Sequence, residues 1–202
     1  VVLALEWSNP NTLRELSFVN KLVSTFFTAA TPRTAGFNVL DTAGLRVPTQ
    51  FFIIALMFIG ASSGSTGGGV KTTTFASVIL ATRAVVTGKG STTAFKRTIP
   101  TDLVAKASAI VFISLSWVIL VTLLLAISEA GDFLTILFEA TSAFGTVGLS
   151  MGLTGSLSEF GRVLIIITMF LGRLGPLTLM YAIAQRQDKV KYRYQDEQML
   201  VG

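Results

Sequence analysis

The chain alternates long and short apolar stretches, and their lengths separate two kinds of segment. Residues 103–127 and 163–183 are each apolar over about the 20 positions that a helix needs to cross a hydrocarbon core, so both predict full membrane spans. Phe18 to Ala30 and Phe133 to Ala143 carry the same apolar and small residues over only 13 and 11 positions, a length that enters a membrane without crossing it. The first stops at Thr31-Pro32, because proline drives the residue before it out of the helical region. The second is opened by Asp132, a good N-cap. Each short helix runs into one pattern, Thr34-Ala35-Gly36-Phe37-Asn38 and Thr146-Val147-Gly148-Leu149-Ser150.

A third pattern lies between them. Val47-Pro48 starts a helix with proline in its tolerated first turn, and Phe51 to Ile59 continues it as a strongly apolar run. The run breaks at Gly60-Ala61-Ser62-Ser63-Gly64-Ser65-Thr66-Gly67-Gly68-Gly69 and resumes over Val70 to Val86, with Lys71 and Arg83 expected at its inner end. Hydrocarbon cannot satisfy the amides of irregular backbone, so a break at this depth is tolerated only when it is buried in protein or lines a watery cavity. The segment is therefore expected to face a pore.

Shifting the chain by 112 residues superimposes its halves without a gap over about 50 positions. Leu22 meets Leu134, Phe26 meets Phe138, Thr34 meets Thr146, Gly36 meets Gly148, and Met57-Phe58-x-Gly60 meets Met169-Phe170-x-Gly172. The expected class is an all-α membrane protein of repeated units, each a span, a re-entrant pore helix, a filter loop and a second span. Four such units close a pseudo-fourfold pore, and two are present.

Composition and charge narrow the function. At 51% hydrophobic and 13% charged, the chain carries about half the charge of a soluble domain. It has no cysteine and no histidine, which excludes disulfide frameworks, Cys/His zinc sites and Cys/His or Ser/His/Asp nucleophilic machinery, and no enzyme activity is expected. The net charge of +5 points to membrane topology rather than nucleic acid. Arg83, Lys89, Lys96, Arg97 and Lys106 face one acid, Asp102, between two spans, whereas Glu129, Asp132, Glu139 and Glu159 gather between the next two against Arg162. The positive-inside rule makes the first connection cytoplasmic and, with it, the tail bearing Arg186, Lys189, Lys191 and Arg193. The opening residues VVLALEW lack the basic flank of a signal peptide and read as the outer end of a span cut short, so the chain is expected to be a piece of a longer protein.

Short helices ending in Thr-x-Gly loops define cation chemistry. Glycine permits backbone angles that turn successive carbonyls toward one axis, and such carbonyls replace the hydration shell of an alkali cation. The carbonyls of Thr34-Ala35-Gly36-Phe37 and Thr146-Val147-Gly148-Leu149 are the expected ligands. Phe37 and Leu149 are expected to wedge the loops against surrounding helices, and Asn38 and Ser150 to bond the loop backbone. The negative C-terminal ends of the short helices also favour a cation.

TPRTAGFN, GSTGGGVKTT, SAFGTVGLS and MFLGRLGPLT resemble the third and fourth repeats of the Trk/Ktr/HKT superfamily of potassium transporters, most closely the bacterial Ktr-type membrane subunit. The resemblance implies potassium uptake at the cell membrane through a filter with one glycine per repeat, Gly36 and Gly148 here. It implies a third repeat over residues 1–86, a cytoplasmic linker over 87–101, a fourth repeat over 102–185 and a tail over 186–202. It further implies a gate in the broken helix, Gly60 to Lys71, a first pair of repeats on another stretch of chain, and a homodimer with one pore per subunit. A cytosolic ring of ATP- or ADP-binding regulatory subunits, and sodium as an activating or coupling ion, belong to the same resemblance.

Arg173 sits in the middle of the last span, where an arginine costs about 2.5–3.5 kcal/mol on insertion scales. The repeat aligns it with Ala61 at the start of the break, and the resemblance implies that it borders the pore below the filter and contacts the loop. An arginine about 7 Å from a passing cation raises its energy by roughly 2 kcal/mol at an effective dielectric near 20, a barrier that leaves steric closure to the loop. The expected gate therefore holds Gly60, Ser62, Ser63, Gly64, Ser65, Thr66, Gly67, Gly68, Gly69, Lys71 and Arg173, with Gly64 to Gly69 moving aside when a partner pulls the inner half-helix.

Two other readings are weighed against this one. A phosphate-binding loop is not met, because Val70 separates Gly69 from Lys71. A secondary transporter of another small solute also uses broken helices at the midplane, but it normally places polar or acidic side chains at the break, and here the break is Gly, Ser, Thr and Ala.

Overall fold

The structure is a computed structural model and describes residues 1–88 and 90–175. Helix α1 (Val2–Glu6) is followed by α2 (Phe18–Ala30), α3 (Val47–Phe58), α4 (Thr72–Val86), α5 (Thr101–Ser128), α6 (Phe133–Gly145) and α7 (Glu159–Leu174). The caps are local chemistry. Ser17 accepts the Asn20 N–H at the head of α2, Asp132 that of Leu134 at the head of α6, and Ser158 that of Gly161 at the head of α7. Pro48 occupies the first turn of α3.

Among the described residues, α5 is the one helix long and apolar enough by itself to cross a membrane. Helices α3 and α4 are the halves of the broken span, and α7 covers the first part of the last one. Residues 176–185, the tail and Lys89 lie outside the described residues. The linker, read from sequence as merely polar and basic, contains an antiparallel pair, β1 (Thr93–Ala94) and β2 (Arg97–Thr98), turned by Phe95 and Lys96 with φ of +49° and +64°.

Helix α6 is the centre. It packs against α3, α5 and α7, and every residue from Phe138 to Gly145 is buried. Its two main faces serve two cores. Phe138 joins Ile53, Ile54 and Met57 of α3, while Ile136, Ala140 and Ala143 join Val121 and Leu125 of α5 and Leu164 and Ile165 of α7. The close fit of α7 depends on Gly172, where a Cβ would overlap the backbone of Phe144. Helix α2, its repeat partner, instead leaves Phe18, Val19, Val23 and Phe26 exposed.

A carboxylate ties the outer end of each repeat. Glu6, fully buried at the end of α1, accepts the Arg46 N–H at 2.9 Å and the Thr49 hydroxyl at 2.5 Å, and so caps α3 from another helix. Asn9 and Thr12 complete its shell at 2.5 and 2.8 Å. Glu129, just past α5, accepts the Ser158 N–H at 2.9 Å and the Ser158 hydroxyl, and so caps α7 in the same way. In both cases negative charge meets the positive end of an inner helix.

The Ser158 hydroxyl and N–H hold the Glu129 carboxyl below the ordinary glutamate range, with the Arg162 charge a smaller contribution. A group whose folded pKa is depressed contributes stability above its unfolded pKa and loses it as pH falls through the folded value. The acid-induced drop in Tm between about pH 5 and pH 3 is therefore expected to be shallower in Glu129→Gln than in the parent protein. Parallel melting curves across that window check this, and equal slopes would refute it.

Candidate functional site

The two Thr-x-Gly loops adopt one backbone form. Thr34 and Gly36 have φ of +73° and +76°, and Thr146 and Gly148 have φ of +51° and +91°. Ala35 and Val147, between them, do not share the positive sign, so the hand alternates along each loop. Two left-handed threonines in equivalent places are unusual, since a Cβ there costs roughly 1–2 kcal/mol. The loops also touch: a Cβ added to Gly36 would overlap the Val147 carbonyl oxygen, and one on Gly148 would lie 3.7 Å from the Gly36 Cα.

Their surroundings differ. Leu149 is buried in the core with Val147, as a wedge should be, but the Phe37 side chain is 73% exposed. The Phe37 carbonyl accepts the Thr31 hydroxyl at 2.5 Å, so it turns back onto the end of α2. Ser150 accepts the Gly152 N–H at 3.0 Å and donates to Glu139 at 2.7 Å. Asn38 is exposed, and its side chain enters no hydrogen bond among the described residues.

The glycine-rich break lies directly against both threonines. Gly68 donates its N–H to the Thr146 hydroxyl at 3.0 Å, and a Cβ on Gly67 would come within 3.1 Å of the Thr34 side chain. Gly67, Gly68 and Gly69 are buried, whereas Ser62, Ser63, Gly64, Ser65 and Thr66 form an exposed tip. A parallel bridge between Ile59 and Val70 pinches the base, with Gly60 donating to Val70 at 2.8 Å and Val70 to Phe58 at 3.1 Å. Phe58 stacks on Phe144, ring centroids 6.1 Å apart, and joins this base to the end of α6.

Two cations hold the break. The Lys71 ammonium donates to the Ser65 carbonyl at 2.9 Å and the Gly67 carbonyl at 2.5 Å, and Arg33 donates to the Gly60 carbonyl at 3.3 Å. Arg173, expected in that role, lies exposed in the last turn of α7, and no hydrogen bond joins it to the break among the described residues. Lys71 sits at the foot of the loop and reaches its carbonyls directly, whereas Arg173 follows Gly172, the residue seated against Phe144.

Glu139 is the residue that sequence reasoning misplaced. Grouped by charge with the outer acids, it is in fact buried in α6, with its carboxyl oxygens on Ser150 and Thr154. The available signal was a lone acid inside the apolar helix FLTILFEATSAFG.

Two short helices ending in paired left-handed loops beside a broken helix define the arrangement. The chain belongs to the TrkH family of cation transport proteins, whose family model matches residues 5–192. It is 46% identical to the Ktr system potassium uptake protein B of Bacillus subtilis, over 100% of this chain and 45% of that protein. To the protein of the same name from Vibrio alginolyticus it is 41% identical, over 98% of this chain and 43% of that protein. It is 36% identical to the potassium/sodium uptake protein NtpJ of Enterococcus hirae, over 96% and 44%. The fold matches the crystal structure of the potassium transporter TrkH from Vibrio parahaemolyticus with a TM-score of 0.75 at 19% identity, over 90% of this chain and 40% of that one. The chain thus spans less than half the length of these relatives.

Replacing Gly36 with alanine adds left-handed strain of roughly 1–2 kcal/mol and a clash with Val147. Gly36→Ala is therefore expected to lower the Tm of the intact protein, whereas Gly155→Ala, where a Cβ meets nothing within 4 Å, leaves it unchanged. Melting curves of the two variants beside the parent measure the difference.

Proposed function

We propose that this chain forms two of the four sides of a potassium uptake pore in the cell membrane, with the glycine-rich break as its gate. The Thr34–Gly36 and Thr146–Leu149 carbonyls are the filter ligands; Phe37, with its carbonyl bound to Thr31, serves the loop's shape instead. The observation that carries the reading is the contact of a single loop with both filter threonines, Gly68 on Thr146 and Gly67 against Thr34. A segment in that place blocks the inner mouth of the filter. Its backbone is irregular, as a movable segment at membrane depth must be, and it can leave only if the Lys71 and Gly68 bonds break.

The pairing of the backbone forms supports carbonyl ligation, and the names of the relatives support potassium as the cargo. Sodium as an activating or coupling ion has a weaker hint in the potassium/sodium uptake relative. The exposed apolar face of α2 suits the other two repeats, and the basic connection at residues 87–101 suits a regulatory ring of nucleotide-binding subunits on a cytoplasmic face shared with the C-terminus. A homodimer with one pore per subunit completes the assembly. Passage needs no bond-breaking step.

Loss of the two Lys71 contacts, charge-assisted hydrogen bonds worth roughly 1.5–3 kcal/mol, favours the open loop by about tenfold or more. In liposomes holding the intact transporter, rubidium uptake without activating partners is expected to rise by that order in Lys71→Gln, and further when residues 64–68 are deleted. Tightly closed uptake in both variants would remove the break as the gate. No cation flux in any form, activated or not, would sink the pore itself.

A further inference from the structure

Glu139 is the only ionisable side chain in α6, and it stands at a position where the preceding repeat carries Phe27. It is 6% exposed. Its Oε2 accepts the Ser150 hydroxyl at 2.7 Å and its Oε1 accepts the Thr154 hydroxyl. The Ser150 and Thr154 hydroxyl oxygens also lie 2.9 Å apart, and Ser150 accepts the Gly152 N–H at 3.0 Å, so carboxylate and hydroxyls form one cluster against the second filter loop.

Comparison with Glu6 isolates what is unusual. The Glu6 charge meets four donors and the positive end of α3. Glu139 has two neutral hydroxyls, and none of its hydrogen bonds among the described residues comes from a lysine or arginine. A buried charge without an opposite partner is costly, and a brace alone would be served by a neutral amide of the same shape. A place for a compensating cation lies beside it. Glu139 lines a cavity of about 220 Å³ together with every residue from Thr146 to Ser150.

We propose that Glu139 determines cation specificity at the second filter loop. Its negative charge raises occupancy by a dehydrated cation there, and its bond to Ser150 fixes the outer end of the loop, so that larger and smaller alkali ions are told apart. This rests on the pore reading given above. It assigns the two loops unequal parts, one charged from behind and one not.

The experiment uses the intact transporter in liposomes and reads two quantities, the concentration for half-maximal rubidium uptake and the ability of sodium to compete. Glu139→Gln keeps the shape and removes the charge. It is expected to weaken apparent rubidium affinity about tenfold, the order of one buried charge-assisted interaction, and to reduce the rubidium-over-sodium preference several-fold. Ser150→Ala keeps the charge and frees the loop end, so preference falls more than affinity. Glu139→Asp restores part of both. A folded Glu139→Gln protein, judged by its melting curve, with parental affinity and preference overturns the proposal. If that variant does not fold, Ser150→Ala and Thr154→Val decide, and parental preference in both overturns it. Absence of flux in the parent protein removes the pore reading, and this proposal falls with it.

Discussion

A peptide group that leaves the helix inside a membrane must find its hydrogen bonds within the protein, and this constraint organises the whole chain. The break between α3 and α4 exposes the amides and carbonyls of residues 59–71, and hydrocarbon offers them nothing. Those at the base of the break and beside the second loop find partners within the protein. Val70 and Phe58 close the base, Thr146 takes the Gly68 N–H, Lys71 takes the Ser65 and Gly67 carbonyls, and Arg33 takes that of Gly60. Because Thr146 is also a loop residue of the second repeat, satisfying the break holds it against that loop. Structural necessity and the proposed mechanism use the same bonds.

The same logic explains why α6 is so deeply buried. It must present Thr146 at a fixed height, so it is packed on by α3, α5 and α7 and keyed by Gly172. Outer ties at Glu6 and Glu129 set where each inner helix starts, and the stacked pair Phe58 and Phe144 sets where the break begins.

Much of this could be read in the chain because it follows from length and spacing. The short helices, the break and the loops are properties of local sequence, and α2 runs over the very residues its composition marked. The register of 112 residues also relates Arg46 to Ser158, the residues at which the two carboxylates cap the inner helices. It fails for the carboxylates themselves. Glu6 and Glu129 are 123 residues apart, because residues 7–17 precede α2 where only residues 130–132 lie between Glu129 and α6, and an ungapped comparison cannot pair them. Charge counting placed Glu139 with the outer acids because it ignores depth. Reach, which alignment does not record, gives the hydrogen bonds to the break to Lys71.

The grip of Lys71 has a kinetic side. An ammonium group fixed to the loop it holds does not diffuse away when released; it returns from a distance set by a few bonds. Such a tethered ligand acts at an effective concentration on the order of millimolar or above, whatever the solution contains. If the break moves as proposed, free amines or alkali ions that reach it compete with a tethered ligand that cannot be diluted.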